Sequence, residues 1–524
     1  MNGVLVLATA VIQIAGASPS PSPSSSSSAS LSPPVSPSLS EPSAGAAALS
    51  LEGHPEADLQ SPVPFHEPSF GPRYRIEQIV VRGNRKTEAA LILGEIGLGP
   101  GDLVTASDPR VEAARIRLLS LGFFLDVRLA LDKGSGRGDA VLIVDVEERG
   151  TVILNALYLG ISAATSFWGG LEIAENNLLG RGISLGTGFV ASTRPDVAEA
   201  DRNLGARIRT LVPPLGGTGL LISGTALLVS GSEFFRAQGP DDSATPADFV
   251  ALRFKRVGGI VGVGRALTHS ARLFLDFREE GVSASLPTLR RRTLPSSESP
   301  AGESPAGEST TPIDFGVMNQ FSRVGSITAT LDFDTRSDPL VPRSGTHLSM
   351  SVEGASSNLL SNYEFLKFVM QGSAYLPTRR RHVIGFHAFG GALLGRAPFF
   401  DRFFVGDLNL LLPPRALGLN FSTQPSRDFL DTSIAGHRYD NFAARLLFEY
   451  AIPLWRRHGF IYSGDAFLAF GAFGMGSEGN FRDPTRSGLA AWPIDLTGDL
   501  GVRLDTLIGV FTLSFANALG RIPF

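Results

Sequence analysis

Two segments of strictly alternating polarity, joined by a turn, limit the possible folds of this chain more than any other feature. In ITATLDFD (327–334) the Ile, Ala, Leu and Phe residues fall on one face and the Thr and Asp residues on the other, and THLSMSVEG (346–354) alternates in the same way. Alternation of this kind predicts β-strands. Strands with one apolar and one polar face suit a barrel wall between lipid and a wet lumen. Between them, TRSDPLVPRSG (335–345) contains the turn-forming pairs Asp338-Pro339 and Ser344-Gly345.

Composition excludes several other classes of protein. A chain of 524 residues normally divides into soluble domains, yet only 18% of this one is charged and 43% is hydrophobic. No apolar run of 18 or more residues follows the N-terminus, so a helical membrane protein is not expected. A net charge of −4 offers nothing to nucleic acid. The absence of cysteine excludes disulfides and thiol catalysis and is compatible with an oxidising periplasm.

Alternation continues through the C-terminal two thirds of the chain. It places about fifteen strands of roughly ten residues each, the length expected of transmembrane strands. These strands begin near residues 152, 166, 183, 203, 219, 250, 271, 320, 346, 363, 382, 441, 459, 494 and 508.

Four motifs carry a resemblance to a known family. The spacing D-x-D-T-R-x-D-P-x-x-P-x-S-G (332–345) resembles the signature of the BamA-type outer-membrane assembly factors. ENNLLGRG (175–182) resembles the second hairpin of that family, and GVRLDTLIGVFTLSFA (501–516) its penultimate strand pair. RFFVGDLNLLLPPRALG (402–418) stands where the family has its sixth extracellular loop, which folds back into the lumen. The resemblance implies one antiparallel transmembrane β-barrel of about sixteen strands over residues 151–524.

A smaller α/β module is predicted over residues 73–150. Its order is β-α-α-β-β, with strands at 74–84, 123–132 and 140–148, a helix at 87–98 and a second helix starting at the N-cap Asp108. RLLSLGFFLDVRL (117–129) resembles the helix-to-strand passage of a POTRA domain. The resemblance implies an edge strand that binds extended client proteins by adding a strand. A rigid spacer without clients is the alternative.

The N-terminus resembles an export signal. Residues 3–16 are apolar, and Ala15-Gly16-Ala17 fits a small-x-small cleavage site, so residues 1–17 are predicted to be a signal peptide. No Lys or Arg precedes the apolar run. Residues 18–72 are predicted to be a disordered linker, because the Ser/Pro/Ala tract at its start cannot build a core.

The predicted site residues are an arginine and its possible partners. The family's loop tip is Val-Arg-Gly-aromatic, and residues 414–417 here read Pro-Arg-Ala-Leu. The family pairs this arginine with an aspartate in a Phe-x-Asp-x-Gly strand motif, whereas the matching stretch, 470–474, contains no aspartate. Arg415 is predicted to anchor the loop in the lumen and to require a carboxylate there. By alternation, five carboxylates face the lumen and could pair with Arg415: Asp332, Asp334, Glu449, Asp499 and Asp505. Of these we favour Asp499 or Asp505 as the partner.

The turn at 335–345 supplies the other predicted site residues. Asp332 and Asp334, which face the lumen just before it, are expected to anchor the turn. Its motif residues are Arg336, Asp338, Pro339, Ser344 and Gly345. A serine-hydrolase motif at 182–186 begins a strand rather than a strand-to-helix turn, so a catalytic role is not expected. His382 and His387 fall on opposite faces of a strand and do not predict a shared metal.

Together with these patterns, the family resemblance implies a non-enzymatic barrel of the Gram-negative outer membrane, with its POTRA-like module in the periplasm. It would insert or translocate proteins, without catalytic residues, metal or cofactor. Expected partners are outer-membrane lipid and unfolded or extended clients at the module's edge strand, with periplasmic accessory proteins as further candidates and no nucleic acid. The alternative is a passive pore or surface receptor that keeps the fold without the activity.

Overall fold

The computed structural model describes residues 13–15, 72–105, 107–160, 167–193, 203–213, 219–236, 249–268, 270–287, 314–408, 415–421, 439–456, 459–478 and 494–518. The first strand, β1, comprises Gln13–Ala15. Apart from these three residues, the predicted signal peptide lies outside the described residues, as does nearly all of the predicted linker. Within the described part of the chain, no helix is long and apolar enough to cross a membrane.

The N-terminal module has the predicted element order, with one short strand added. It consists of β2 (Tyr74–Arg82), α1 (Ala89–Ile96), β3 (Leu103–Val104), α2 (Pro109–Ser120), β4 (Phe124–Lys133) and β5 (Asp139–Glu148). The strands form one sheet in the order β3-β2-β5-β4, in which β2 and β5 are parallel. The two edges of this sheet are therefore the two-residue β3 and the ten-residue β4.

The core of the module lies between its helices and its sheet. Asp108 caps α2 by accepting a hydrogen bond from the backbone N–H of Arg110, and Pro109 occupies the first helical turn. The residues that are fully buried between helices and sheet are Ile76, Ile92, Ile96, Leu118, Leu142 and Val144. Each such side chain contributes about 1.5–3 kcal/mol by leaving water. These contacts fix the position of the loop at 84–88, between β2 and α1.

Glu148, the last residue of β5, holds that loop. Its carboxylate accepts hydrogen bonds from the backbone N–H of Lys86 at 3.0 Å and of Thr87 at 2.8 Å. Burial alone would raise the pKa of Glu148, but the hydrogen bonds from Thr87 and Lys86 outweigh it and hold the pKa below the ordinary 4.5. The ionised carboxylate is therefore the form that the folded module stabilises.

This pKa shift predicts acid sensitivity of the loop at 84–88. A carboxylate whose pKa is lower in the folded state stabilises that state above its unfolded pKa of about 4.5 and loses this contribution as the pH falls through the folded pKa. Glu148→Gln should increase opening of the loop at pH 7, because one neutral amide oxygen replaces two charged acceptor oxygens, and a hydrogen bond to a charged group is worth about 1.5–3 kcal/mol. Hydrogen exchange of residues 84–88, corrected for intrinsic rates, would measure this opening. Equal acid dependence in the wild type and the variant would contradict the assignment.

Fifteen strands form the wall of a nearly closed antiparallel barrel. They are β6 (Val152–Gly160), β7 (Phe167–Leu178), β8 (Ile183–Thr193), β9 (Leu204–Val212), β10 (Leu220–Arg236), β11 (Phe249–Ala266), β12 (Ala271–Ser285), β13 (Gln320–Asp334), β14 (Gly345–Ala355), β15 (Glu364–Pro377), β16 (Val383–Arg396), β19 (Phe442–Arg456), β20 (Ile461–Gly476), β21 (Ile494–Thr506) and β22 (Gly509–Ala518). Two short strands, β17 (Phe403–Phe404) and β18 (Tyr439–Asp440), pair with each other and with no other strand in the described part of the chain. These fifteen strands confirm the predicted antiparallel barrel of about sixteen, and β1, which lies in the predicted signal peptide, adds a further strand to the sheet beside β22.

The faces of the barrel strands follow the predicted alternation. On β13, Ile327, Leu331 and Phe333 are exposed on the outside, whereas Thr328, Thr330 and Asp332 are buried inside. The neighbouring β12 repeats the pattern, with Leu273, Leu275 and Phe277 outside and Asp276, Arg278 and Glu280 inside. The outside of the barrel is therefore an apolar belt, and its interior carries the charges.

The boundary between β6 and β22, here called the seam, differs from every other strand junction of the barrel. Fifteen strands that alternate in direction leave the first and the last running the same way. Within the described residues β6 and β22 form no ladder, although the backbone N–H of Leu154 donates to the carbonyl of Ile508 at 2.8 Å. Instead β1 pairs antiparallel with β22, from Gln13 opposite Thr512 to Ala15 opposite Val510.

We expect the barrel and the module to behave as separable folding units. A variant that lacks 73–150 should still migrate faster on a gel unless it is heated, because a closed sheet in lipid resists unfolding by detergent. A chain that ends at residue 150 should show no such shift. Heat-modifiable migration in the truncated chain would place the resistant structure elsewhere.

Candidate functional site

A segment between β16 and β19 fills part of the barrel interior. We call the described residues 397–408 and 415–421 the lumen loop; residues 409–414, including the predicted loop-tip Pro414, lie outside the described residues. The loop forms one buried cluster with inward-facing residues of the wall, as the family resemblance implied. Its largest members are Phe399, Phe400, Phe403, Phe404, Leu417, Leu419 and Phe421, which meet Trp168, Val190, Leu252, Phe254 and Leu393 of the wall.

Arg415 lies in this loop, and among the described residues its ion-pair partner lies in the loop as well. Its Nη2 donates to the Oδ2 of Asp407 at 2.7 Å, and its Nη1 donates to the carbonyl oxygen of Phe400 at 3.0 Å. Asp407, which is half-buried, belongs to the same loop, so this pair folds the loop onto itself. The prediction that Asp499 or Asp505 pairs with Arg415 is therefore wrong. It failed because Asp407 stands only eight residues away along the chain.

The five candidate carboxylates line the barrel interior, and among the described residues each has a partner other than Arg415, which for Asp499 is the hydroxyl of Ser514. Asp332 contacts the Nε2 of His347 at 2.8 Å, and Asp334 accepts from Arg336 at 2.7 Å. Glu449 binds Arg503 through both carboxylate oxygens, at 3.0 and 2.8 Å. Asp505 accepts from Arg149 at 2.9 Å. Asp499 is buried on β21. These carboxylates join wall to wall, or wall to module, rather than wall to Arg415.

The contact between the lumen loop and the wall is made by a different residue, Asp401. Its Oδ1 accepts from the Nη1 of Arg278 at 3.0 Å, and the same nitrogen donates to Glu353 at 3.0 Å. Glu280 then joins Arg278, at 3.0 Å, to Arg256, at 2.8 Å. We call Arg256, Arg278, Glu280, Glu353 and Asp401 the wall anchor.

Aromatic contacts and charge balance complete the wall anchor. The guanidinium of Arg256 lies over the ring of Phe400, 3.8 Å from its centroid, which is a close cation–π contact. Lys367 stands opposite Glu353 in the ladder of β14 and β15, so three cations meet three carboxylates. The wall thus supplies the arginines and the loop the carboxylate, the reverse of the arrangement predicted for Arg415. The inward charges of β12 were visible in the sequence, but their partner on the loop was not.

Removal of the loop carboxylate should detach the lumen loop. Asp401→Asn leaves Arg278 with fewer compensating charges in a dry site, and disruption of a buried ion pair costs up to about 3–5 kcal/mol. The barrel should stay folded while proteases gain access to residues 397–408. Asp407→Asn is the matched control, because it makes the same change outside the wall anchor and should loosen only the loop tip. If Asp401→Asn is cleaved no faster than wild type, the wall anchor does not hold the loop.

The turn at 335–345 has a position that its motif did not indicate. Its ladder continues to Ser337, whose backbone N–H donates to Ser344 at 3.0 Å, and residues 338–343 then project as a longer excursion. Asp338 shapes this excursion by accepting from the backbone N–H of Leu340 at 2.7 Å. Leu340 and Val341 are buried in one cluster with Ile153 of β6 and Val510 of β22. The predicted tight turn thus packs against both strands at the base of the seam.

Arg149 joins the module to this base. Its side chain is buried, with the Nη2 2.9 Å from Asp505 on β21 and the Nη1 3.8 Å from Asp338. Its backbone N–H donates to the carbonyl of Phe123, just before β4, at 2.9 Å. Residues near the predicted domain boundary therefore form part of the site, which the sequence analysis did not anticipate.

A second contact joins the module to the turn between β7 and β8. The Nδ2 of Asn177 donates to the Oγ1 of Thr87 at 2.9 Å, and the backbone N–H of Glu88 donates to the carbonyl of Gly180 at 2.9 Å. Arg181 pairs with Glu88 at 2.8 Å, and both side chains are substantially exposed. The ENNLLGRG motif is thus a docking turn for the module.

Comparison with known families agrees with this architecture. The model of the Omp85 superfamily domain matches residues 177–521, which is more than half of the chain. The chain belongs to the Omp85 superfamily. A second model, the surface antigen variable number repeat of the POTRA type, matches residues 74–149. The module is therefore a POTRA domain, and the protein lies in a Gram-negative outer membrane with that domain in the periplasm.

Individual relatives are more distant. The chain is 36% identical over 129 residues to the outer membrane protein assembly factor BamA of Neorickettsia risticii, a match that covers 25% of this chain and 17% of the relative. BamA from Haemophilus ducreyi, solved without POTRA domains 1–3, is 14% identical with a TM-score of 0.45, over 86% of this chain and 81% of that one. CdiB from Escherichia coli is 12% identical with a TM-score of 0.49, over 85% and 76% of the two chains.

Proposed function

We propose that this protein inserts proteins into the outer membrane, or secretes them across it, through its seam and without catalysing a reaction. The seam carries this proposal. Backbone groups that are unpaired in lipid are costly, and the junction of β6 and β22 has no ladder among the described residues. The edge of β22 also accepts an extended segment, since it pairs with β1, which belongs to the predicted signal peptide and not to the barrel. An edge that pairs with a segment of its own chain is chemically able to pair with a client strand.

The POTRA domain supplies a first binding edge for clients. Among the described residues β4 pairs only with β5, so its outer backbone groups face away from the sheet. At ten residues β4 is long enough for β-augmentation, whereas the opposite edge, β3, has two. We infer that an extended client adds to β4 before it reaches the seam.

The lumen loop favours an assembly or secretion role over an open pore. Its aromatic residues form a buried cluster with the wall, and a dry apolar cluster does not conduct water or ions. The altered loop tip at 415–417 would have favoured a passive barrel, but the wall anchor provides the wall contact that this tip lacks. A passive surface receptor remains the competing function.

Depletion of the protein followed by proteomics distinguishes these functions. An assembly factor should cause the loss of several other barrels from the outer membrane. A secretion factor should instead cause the loss of particular proteins from the medium or the cell surface. If neither fraction changes after complete depletion, the protein is a passive barrel and the proposal is wrong.

Covalent closure of the seam should block the activity. The chain has no cysteine, so cysteine pairs across 154–159 and 510–515 can be screened for the pair that cross-links on oxidation. Oxidation should stop client insertion or secretion, and reduction should restore it. Leu171→Cys with Phe189→Cys is the matched control, since these residues stand opposite each other in the β7–β8 ladder. Full activity of a quantitatively cross-linked seam would rule out lateral opening.

A further inference from the structure

We propose that residues 86–88 and 148–149 of the POTRA domain, here called the staple, bridge the seam, and that release of the staple from the β7–β8 turn permits the seam to open. This inference deepens the proposed function and rests on the proposed lateral opening of the seam. The staple residues contact the barrel on both sides of the seam: the turn after β7 lies on one side, and β21 lies on the other.

Both arms of the staple start from two adjacent residues at the end of β5. Glu148 holds the backbone of Lys86 and Thr87, and Thr87 contacts Asn177 on the β6 side of the seam. Arg149 contacts Asp505 on the β22 side. Separation of β6 from β22 moves these two attachment points apart. A rigid domain that holds both must therefore release one of them before the seam can widen.

The two arms differ in strength, and the difference predicts which one is released. The Arg149–Asp505 pair is buried, and breaking such a pair exposes an uncompensated charge to a dry site. The other arm consists of neutral hydrogen bonds from Asn177 and to Gly180, together with the exposed Arg181–Glu88 pair, which contributes little. The β7–β8 turn is therefore the releasable side, and β21 keeps the domain attached.

The staple is also connected to the edge that clients would occupy. The carbonyl of Phe123, which immediately precedes β4, accepts the backbone N–H of Arg149. β5 pairs with β4 along its length and ends at Glu148, which holds the releasable arm. A client strand that adds to β4 is thus one strand away from both arms. Client binding at β4 can therefore promote release of the staple from the β7–β8 turn and opening of the seam.

A glycine substitution can wedge the releasable arm apart. Gly180 has a φ of +75°, and a Cβ added there would lie 2.0 Å from the carbonyl oxygen of Lys86, which is too close for any contact. Gly219, in another periplasmic turn, has a φ of +68°, and among the described residues its added Cβ would meet Ala266 alone, at 4.0 Å. Gly180→Ala and Gly219→Ala therefore carry similar backbone strain. Only the former pushes against the POTRA domain.

The width of the seam can be measured directly, without any client. Spin labels on Leu159→Cys of β6 and Phe515→Cys of β22 would report it in lipid vesicles, since both side chains are exposed on the outside of the barrel. In Gly180→Ala we expect a second population at longer distance that the wild type lacks. Gly219→Ala should match the wild type. An unchanged distribution in Gly180→Ala, or an equal change in both variants, would overturn the staple.

A milder pair of variants tests the staple even if the glycine variants misfold. Thr87→Val removes the hydroxyl that accepts from Asn177 and keeps the shape of the side chain. Thr268→Val is its control, because the hydroxyl of Thr268 accepts from the backbone N–H of Ala271 in the turn between β11 and β12, away from the seam. Heat-modifiable migration would verify folding of each variant. Thr87→Val should widen the seam and Thr268→Val should not; a seam unchanged by a folded Thr87→Val overturns the proposal.

The same variants separate the staple from the proposed function. A wider seam together with altered client insertion or secretion supports both. A wider seam with no change in any client supports the staple and contradicts the assembly or secretion role. A seam that stays narrow in the folded Gly180→Ala variant contradicts the staple, and the effect of depletion on clients then decides the function on its own.

Discussion

The structure depends on one constraint, which is that backbone N–H and C=O groups at membrane depth must be paired. Antiparallel ladders meet this requirement at every junction between consecutive barrel strands. Within the described residues the last junction, between β6 and β22, does not meet it, because these strands form no ladder. The seam is therefore the weakest part of the wall. Arg149, Leu340 and Val341 make contacts at its base.

Ion pairs between buried side chains determine the structure of the barrel interior, as backbone hydrogen bonds determine that of the wall. Arginines and carboxylates inside the barrel neutralise one another in local groups, because an unpaired charge in a dry lumen is expensive. Glu449 with Arg503 joins strands across the wall, and Asp401 with Arg278 joins the lumen loop to it. Arg415 with Asp407 shapes the loop itself. The lumen loop is thus held by both apolar packing and ion pairs.

Much of the fold was predictable, whereas little of the site was. Each predicted strand start lies within two residues of an observed one, and the faces of β13 agree with the alternation. Alternation is a local property, since residues two apart share a face whatever the rest of the chain does. The partner of Arg415 was not predictable in this way, because Asp407 approaches it through the path of a loop. The contact of Leu340 and Val341 with the strands of the seam was not predictable either, since the motif indicated only a turn.

The sequence by itself determined the element order, the inward and outward faces of the strands, and the family. These follow from periodicity, turn residues and motif spacing, which are written along the chain. Only the tertiary structure decided which charges meet inside the barrel and where the POTRA domain docks. The reason is physical: distances across a lumen depend on closure and on the course of loops, so residues far apart in sequence, such as Arg149 and Asp505, become partners only when the barrel forms.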